Sequence, residues 1–155
     1  MTDMAHTLRQ ATEADLDALV GYEIVIAQVS FGADAVVDPE VHRGKLSKGL
    51  TRDAEGMIVA VDEDDAVVGW MWLAVNTNFL TEDRYINFRS LAVDPGPDSE
   101  EVGEALLAYG LDFARRKEAG EIVGKVYMGN QGMRVLYRKF DFEPVHLTLR
   151  RKIEL

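Results

Sequence analysis

Residues 85–107 read YINFRSLAVDPGPDSEEVGEALL, and this stretch decides the fold. The residues up to Val93 include aromatic and β-branched side chains, which are typical of a strand. The segment 94–97 then ends the strand, because proline and glycine favour turns. From Ser99 onward, apolar residues recur at helical spacing. The stretch therefore predicts a strand, a tight loop and a helix in direct succession.

Towards the C-terminus, residues 121–142 read EIVGKVYMGNQGMRVLYRKFDF. This pattern predicts a strand over 121–128 and a short helix over 130–140. Val145, Leu147 and Leu149 then alternate with polar residues, which predicts a final strand over 145–153.

Towards the N-terminus, a short strand over 7–10 precedes a predicted helix. Thr12 and Asp15 have the spacing of a helix-start cap. The apolar stripe of this helix, which also includes one glutamate, consists of Leu16, Leu19, Val20, Glu23, Ile24 and Ala27. A second helix begins at Asp38-Pro39, with aspartate as cap and proline in the first turn.

Two runs at 57–61 and 66–75 are rich in β-branched and aromatic residues, and the acidic turn 62–65 separates them. They predict a hairpin. The full predicted order is β-α-α-β-β-β-α-β-α-β, which is an α/β domain with a mixed sheet and a crossover helix.

The composition limits the classes of protein. With 155 residues the chain is large enough for a single domain over its whole length, and 47% of its residues are hydrophobic. Because it contains no cysteine, disulfides, thiolate metal sites and cysteine nucleophiles are excluded, and we expect no metal site. The N-terminus lacks the features of a signal peptide, and no apolar run approaches a membrane span, so we expect a cytoplasmic protein.

The formal net charge is −10. An acidic field repels nucleic acid and anionic membranes, so we expect neither as a partner. A small cationic substrate is attracted by the same field. Solubility also accounts for such a charge.

Two sets of residues carry a resemblance to a known family. Val93 and Pro95 end the predicted central strand, and Gly103 stands in the helix that follows. The second set, spaced by four and then seven residues, is Val126, Asn130 and Tyr137. In these residues the chain resembles the GNAT family, the Gcn5-related N-acetyltransferases. The resemblance implies a mixed, mostly antiparallel central sheet flanked by helices, with acetyl-CoA as co-substrate.

The resemblance also implies roles for individual residues. In this family acyl-CoA inserts between two splayed parallel strands, so the backbone of Leu91, Ala92 and Val93 is expected to bind it. Asn130 is expected to contact the pantetheine arm, and Tyr137 to protonate the leaving thiolate as general acid. The pyrophosphate is expected at the start of the helix, on the segment Glu101, Val102, Gly103, Glu104 and Ala105.

At the expected phosphate site, two residues depart from the family pattern. Asp98 stands where the family has Arg or Gln, and Glu101 where it has a glycine. A carboxylate about 5 Å from a phosphate costs roughly 1–3 kcal/mol. The same two residues have the spacing of a capping box, which would use the backbone N–H groups that a phosphate would bind. The alternative to an enzyme is therefore a GNAT-fold binding or interaction module without catalysis.

The sequence does not identify the residues that bind the acceptor or take its proton. An amine must lose a proton to be acylated, and Glu82, Asp83, His42 and His146 are candidate bases that no spacing singles out. Arg84 and Arg89 lie on the predicted central strand. They either bind a carboxylate of the acceptor or pair with acids of the protein itself. We expect an N-acetyltransferase acting on an amine of a small molecule or peptide, and we consider a homodimer as its assembly.

Overall fold

The structure, a computed structural model, describes residues 6–155. Its strands are β1 (His6–Gln10), β2 (Met57–Asp62), β3 (Val67–Thr77), β4 (Arg84–Val93) and β5 (Ile122–Gly124). Its helices are α1 (Leu16–Phe31), α2 (Pro39–Arg52), α3 (Ser99–Arg116) and α4 (Gln131–Lys139). The predicted helices and the hairpin of β2 and β3 are confirmed.

The strands form one five-stranded sheet in the order β1-β2-β3-β4-β5. The first four strands are antiparallel to their neighbours, whereas β5 is parallel to β4. A parallel neighbour requires a crossover connection, and α3 provides it. The predicted mixed sheet flanked by helices is therefore confirmed.

The sheet separates two apolar clusters, because alternate side chains of a strand face opposite sides. In β2, Ile58 and Ala60 face one side, while Val59 and Val61 face the other. The first side packs against α3 and α4, and we call it the α3 cluster. The second packs against α1 and α2 and contains Trp72 of β3; we call it the α1 cluster.

Polar contacts fix the starts of the first two helices. Asp15, whose side chain is 6% exposed, accepts two hydrogen bonds from the Arg9 guanidinium at 2.8 and 2.9 Å. It also accepts the backbone N–H of Thr12 at 2.8 Å. Asp38 has an extended backbone and accepts the N–H of Glu40. Both predicted helix starts are confirmed.

The C-terminal segment differs from the prediction. The final strand expected over 145–153 is absent, and β5 spans only Ile122–Gly124 instead of 121–128. Leu147 and Leu149 are more than four-fifths exposed, at 83% and 88%. The residues do alternate between apolar and polar, but this segment pairs with no strand within residues 6–155. A strand without a partner is not stable in water.

One helical segment, Glu13–Asp34, is long and apolar enough to cross a membrane by length and composition alone, contrary to the expectation from the sequence. A core helix of a soluble protein passes the same test. In this fold Leu19 and Val20 are buried in the α1 cluster, and the Glu23 carboxylate bonds to the sheet. These contacts make α1 a layer of the domain.

Candidate functional site

The parallel pairing of β4 and β5 is short. Its register runs from Ile86 opposite Ile122 to Phe88 opposite Gly124, where it stops. β4 continues for five more residues, to Val93, still paired with β3 on its other edge. On the β5 side the backbone groups of residues 89–93 therefore have no ladder partner. β5 ends here, and a cavity separates the chain that follows it from β4; we call this separation the divergence of β4 and β5.

A cavity of about 270 Å³ lies where the strands diverge. Three segments line it: residues 88–93 of β4, residues 125–137 after β5, and the outer face of α1 near Val29. The predicted site residues that it brings together are Leu91, Ala92, Val93, Asn130 and Tyr137.

A β-bulge in β4 shapes the cavity. Consecutive β3 residues, Trp72 and Leu73, pair with Ser90 and Phe88, so Arg89 has no partner on β3. An extra residue in one strand changes the direction in which the following side chains point. Phe88 packs in the α3 cluster, whereas Arg89 stacks over the Trp72 ring at 4.6 Å, on the α1 side. The bulge thus turns Arg89 and Ser90 towards the same face.

Tyr137 is held in aromatic surroundings at the cavity wall. Its ring centroid lies 6.1 Å from that of Phe88 and 5.3 Å from that of Phe142. Burial raises the pKa of the Tyr137 hydroxyl to about 12, because it disfavours the phenolate. The hydroxyl therefore stays protonated throughout the neutral range and is a proton donor in the cavity wall.

Asn130 combines a structural role with its place at the cavity. Its side-chain oxygen accepts the backbone N–H of Met133 at 3.3 Å, so it caps the start of α4. The capped turn fixes the helix that carries Tyr137. Asn130 thereby holds the loop between β5 and α4 against the cavity.

Glu23 is a residue that the sequence did not single out as functional. Its carboxylate accepts the Ser90 hydroxyl at 2.7 Å and the Trp70 indole N–H at 3.2 Å. Ser90 lines the cavity, so its hydroxyl connects the Glu23 carboxylate to the cavity. The sequence signal for such a role was a glutamate on the apolar stripe of a helix. A carboxylate that is partly removed from water there needs polar partners.

The bases considered from the sequence lie elsewhere. His42 is buried, and its Nε2 lies 2.7 Å from the Val36 carbonyl oxygen, so it fastens the connection of α1 to α2. Glu82 and Asp83 are exposed before β4, and His146 is exposed in the C-terminal segment. None of these four candidates lines the cavity.

The start of α3 does not cap itself. Asp98 occupies the cap position, but its side chain makes no capping hydrogen bond. The predicted capping box of Asp98 and Glu101 is therefore wrong. Its backbone angles, φ −96° and ψ 4°, differ from the extended conformation of a typical capping residue such as Asp38. The carboxylate is not turned onto the helix N–H groups.

The predicted phosphate-binding residues surround this helix start, outside the cavity lining. They are Glu101, Val102, Gly103, Glu104 and Ala105. Gly103 makes room for α4, because a Cβ there would lie 2.9 Å from Leu136 Cδ2. Glu104 and Glu100 form ion pairs with Lys139 of α4. Phosphate binding by this segment stays a prediction.

The charges at the cavity contrast with those of the whole chain. Arg89 and Lys125 are the charged residues that line it, and no carboxylate does. Across residues 6–155 neither cation has an acidic partner within salt-bridge distance. Although the chain has a net charge of −10, the charged side chains at this cavity are positive, which favours an anionic ligand there.

Comparison with known proteins agrees with this arrangement. The profile of the acetyltransferase (GNAT) family matches residues 25–142. Mycothiol acetyltransferase of Renibacterium salmoninarum is 26% identical over 90 residues, which cover 58% of this chain. The match covers only 27% of that relative.

Solved structures share the fold. An acetyltransferase of Trypanosoma brucei superposes with a TM-score of 0.65 at 17% identity, covering 96% of this chain and 99% of its own. A transcriptional regulator from Bacillus halodurans C-125 superposes with a TM-score of 0.76, also at 17% identity and with the same coverage of both chains. At these identities the likeness shows the fold alone.

Proposed function

The chain belongs to the acetyltransferase (GNAT) family, and on that premise we propose that it transfers an acetyl group from acetyl-CoA to an amine of a small molecule or peptide. One observation carries the proposal. The divergence of β4 and β5 gathers Tyr137, Asn130 and the free strand edge of residues 91–93 around a single cavity.

The residues present fit an acyl-CoA. A pantetheine arm carries two amide groups, which pair well with unpaired strand backbone, and residues 89–93 offer such an edge. Phe88 and Leu91 give the cavity apolar walls for the acetyl group and the carbon chain. We assign the pantetheine arm to this edge and the acetyl group to the cavity between Ser90 and Tyr137.

The phosphates are assigned to the start of α3. A helix N-terminus offers free backbone N–H groups and a partial positive charge. The Ser99 N–H donates to the Gly96 carbonyl oxygen, but the Asp98 side chain caps none of the others, so those of Glu100 and Glu101 are available to an anion. Lys139 offsets one of the two negative charges of Glu100 and Glu104 beside them, while Asp98 and Glu101 oppose binding. We expect the phosphates to bind, but more weakly than at a start with glycine and arginine.

The acid and the base follow from the cavity wall. Acetyl-CoA supplies a thioester, whose carbon–sulfur bond is replaced by a carbon–nitrogen bond to the acceptor amine. Tyr137 donates a proton to the departing sulfur. Ser90 accepts the proton that the amine loses, and passes its own proton along the 2.7 Å hydrogen bond to Glu23. The attacking nitrogen becomes positively charged and more acidic once it is bonded to the carbonyl carbon, which favours loss of its proton to this relay.

The test is an assay for acetyl transfer with a panel of amines, in which free CoA thiol is measured over time. Release of thiol that depends on the amine, together with the acetylated product in a mass spectrum, supports the proposal. Absence of product with every amine, in a protein that binds acetyl-CoA, would favour a GNAT-fold binding module.

We further propose a homodimer and a cytoplasmic location. The C-terminal segment exposes Val145, Leu147 and Leu149, which occupy alternate positions of the chain. A second copy of the chain offers the same segment in turn, so a symmetric pair would cover both. Nucleic acid and membranes are not proposed as partners, because the net charge of −10 repels both.

A further inference from the structure

Arg89 stands between two cavities. It lines the 270 Å³ cavity of the proposed acyl site. It also lines a second cavity of about 660 Å³, formed by the end of α2, the end of β3 and the end of α3. The bulge that leaves Arg89 without a β3 partner places it at this boundary.

The other charges of the second cavity are paired among themselves. Asp53 accepts the Arg52 guanidinium at 3.2 Å and the Trp72 indole N–H at 3.1 Å. Glu55 forms an ion pair with Lys117. Two carboxylates therefore meet two cations, and Arg89 adds a third positive charge that these pairs leave uncompensated.

The contact that Arg89 does make leaves its hydrogen-bonding edge free. The guanidinium carbon lies over the Trp72 ring, 4.6 Å from its centroid, and the Trp72 N–H donates to Asp53. A contact with a ring face does not use the N–H donors, and within residues 6–155 Arg89 forms no ion pair. A stacked arginine with free donors is suited to binding a carboxylate with two parallel hydrogen bonds.

The phosphates of CoA do not account for this cation. They are assigned to the start of α3, beyond Val93. Val93 is the fourth residue after Arg89, which corresponds to about 13 Å along a strand. Arg89 instead directly precedes Ser90, the residue to which the proton of the amine is assigned, and both line the same cavity.

We propose that Arg89 anchors a carboxylate of the acceptor, so that the acceptor is an amino acid or a similar compound with its amine and carboxylate a few bonds apart. This inference rests on the proposed acetyl transfer. Arg89 binds the anion, and Ser90 meets the neighbouring amine on the same face of β4. Lys125, at the opposite wall, adds to the positive potential that attracts the anion.

The experiment uses the full chain and matched pairs of acceptors, namely α-amino acids and their methyl esters. Wild-type protein is expected to acetylate at least one amino acid with a kcat/KM about tenfold or more above that of its ester. In Arg89→Gln the KM for the amino acid rises about 10- to 100-fold, while kcat and the values for the ester change little. For each acceptor, the KM of Arg89→Gln is divided by that of the wild-type protein. This ratio is free of the difference in basicity between the amines of the amino acid and its ester.

Arg84→Gln is the matched control. Arg84 lies five residues earlier on the same strand, donates to the Lys117 carbonyl oxygen at 2.8 Å, and lines neither cavity. Its substitution removes the same charge and is expected to leave the preference for the amino acid intact. A loss of preference in Arg89→Gln alone supports the anchor.

Three results would overturn the inference. If the wild-type protein preferred esters, or amines without a carboxylate, the acceptor would not need a carboxylate, although acetyl transfer itself would stand. An equal loss for acid and ester in Arg89→Gln would assign Arg89 a general structural role. Weaker acetyl-CoA binding in that variant, measured by calorimetry, with the acceptor preference kept, would assign the cation to a CoA phosphate. A protein that bound no acetyl-CoA would fail earlier, at the proposed function itself.

Discussion

Phe88 of β4 and Gly124 of β5 form the last pair of the parallel ladder, and the residues that follow them, Arg89 and Lys125, both line the cavity. A Cβ at position 124 would approach Phe88 Cβ to 3.0 Å. The glycine therefore lets the strands stay close up to this pair, and the opening begins directly after it. The site is a consequence of where the pairing ends.

Tyr137→Phe tests the general acid. The ring contacts with Phe88 and Phe142 remain, but the proton donor is lost. We expect kcat to fall about a hundredfold, within the usual range for general acid catalysis, with the acetyl-CoA affinity unchanged. Because the pKa of Tyr137 is about 12, the wild-type rate should show no loss from its ionisation at neutral or mildly alkaline pH. Equal turnover of the two proteins would remove this role.

Glu23→Gln tests the proton acceptor while preserving its hydrogen bonds, because the amide oxygen can still accept from Ser90 and Trp70. We expect kcat to fall on the order of tenfold or more and acetyl-CoA affinity to stay the same. Ser90→Ala should cost about as much, and the double variant little more, since both residues act in one relay. Additive losses would show that Glu23 and Ser90 act separately.

The acidic start of α3 should limit the affinity for acetyl-CoA. In the variant Asp98→Arg with Glu101→Gly, two repulsions are removed and one attraction is added. We expect binding to strengthen on the order of a hundredfold in calorimetry at low salt. A control with the same change in charge, Glu63→Arg with Asp64→Gly in the exposed β2–β3 turn, should have a small effect. An unchanged affinity would place the phosphates away from α3.

The Arg9–Asp15 pair should make the free energy of unfolding depend on pH in the acidic range. The Arg9 guanidinium holds the pKa of Asp15 below its usual range. The stabilisation is therefore fully present above the unfolded-state pKa of about 3.9, and it is lost as the pH falls through the lower folded-state value. Asp15→Asn should cost about 2 kcal/mol in the free energy of unfolding at neutral pH. Urea titrations at falling pH should show this difference shrinking; a constant difference would contradict the linkage.

The exposed C-terminal segment should join two copies of the chain. Light scattering of the wild-type protein should give twice the monomer mass of 17.3 kDa. Leu147→Glu with Leu149→Glu replaces two of the exposed apolar side chains by charged ones and should yield monomers. His146→Glu with Thr148→Glu, on the alternate positions, is the control and should remain dimeric. A wild-type monomer would refute the dimer.

The sequence predicted the elements whose signals are local. The strand at 85–93, the caps at Asp15 and Asp38, and the helix that holds Tyr137 all depend on neighbours in the chain. The bulge at Arg89 was not predictable, because it arises from the register with β3. The role of Glu23 likewise depends on a contact with Ser90, 67 residues away.

Two local predictions failed for identifiable reasons. The Asp98 and Glu101 spacing fits a capping box, but the loop gives Asp98 a backbone conformation from which it does not cap. The alternation at Val145 and Leu147 is typical of a strand, yet a strand also needs a partner edge. A spacing predicts which contacts are possible, and the surrounding chain decides whether they form.

Calorimetric titration of acetyl-CoA into the full chain, at low and at high salt, tests the central claim most directly. The divergence of β4 and β5 as an acyl-CoA site predicts binding with a Kd on the order of 10 µM, equivalent to about −7 kcal/mol, which weakens as salt screens the phosphates. An absence of binding heat with ligand in the millimolar range would contradict it. The fold would then serve as a module for other ligands or for protein partners.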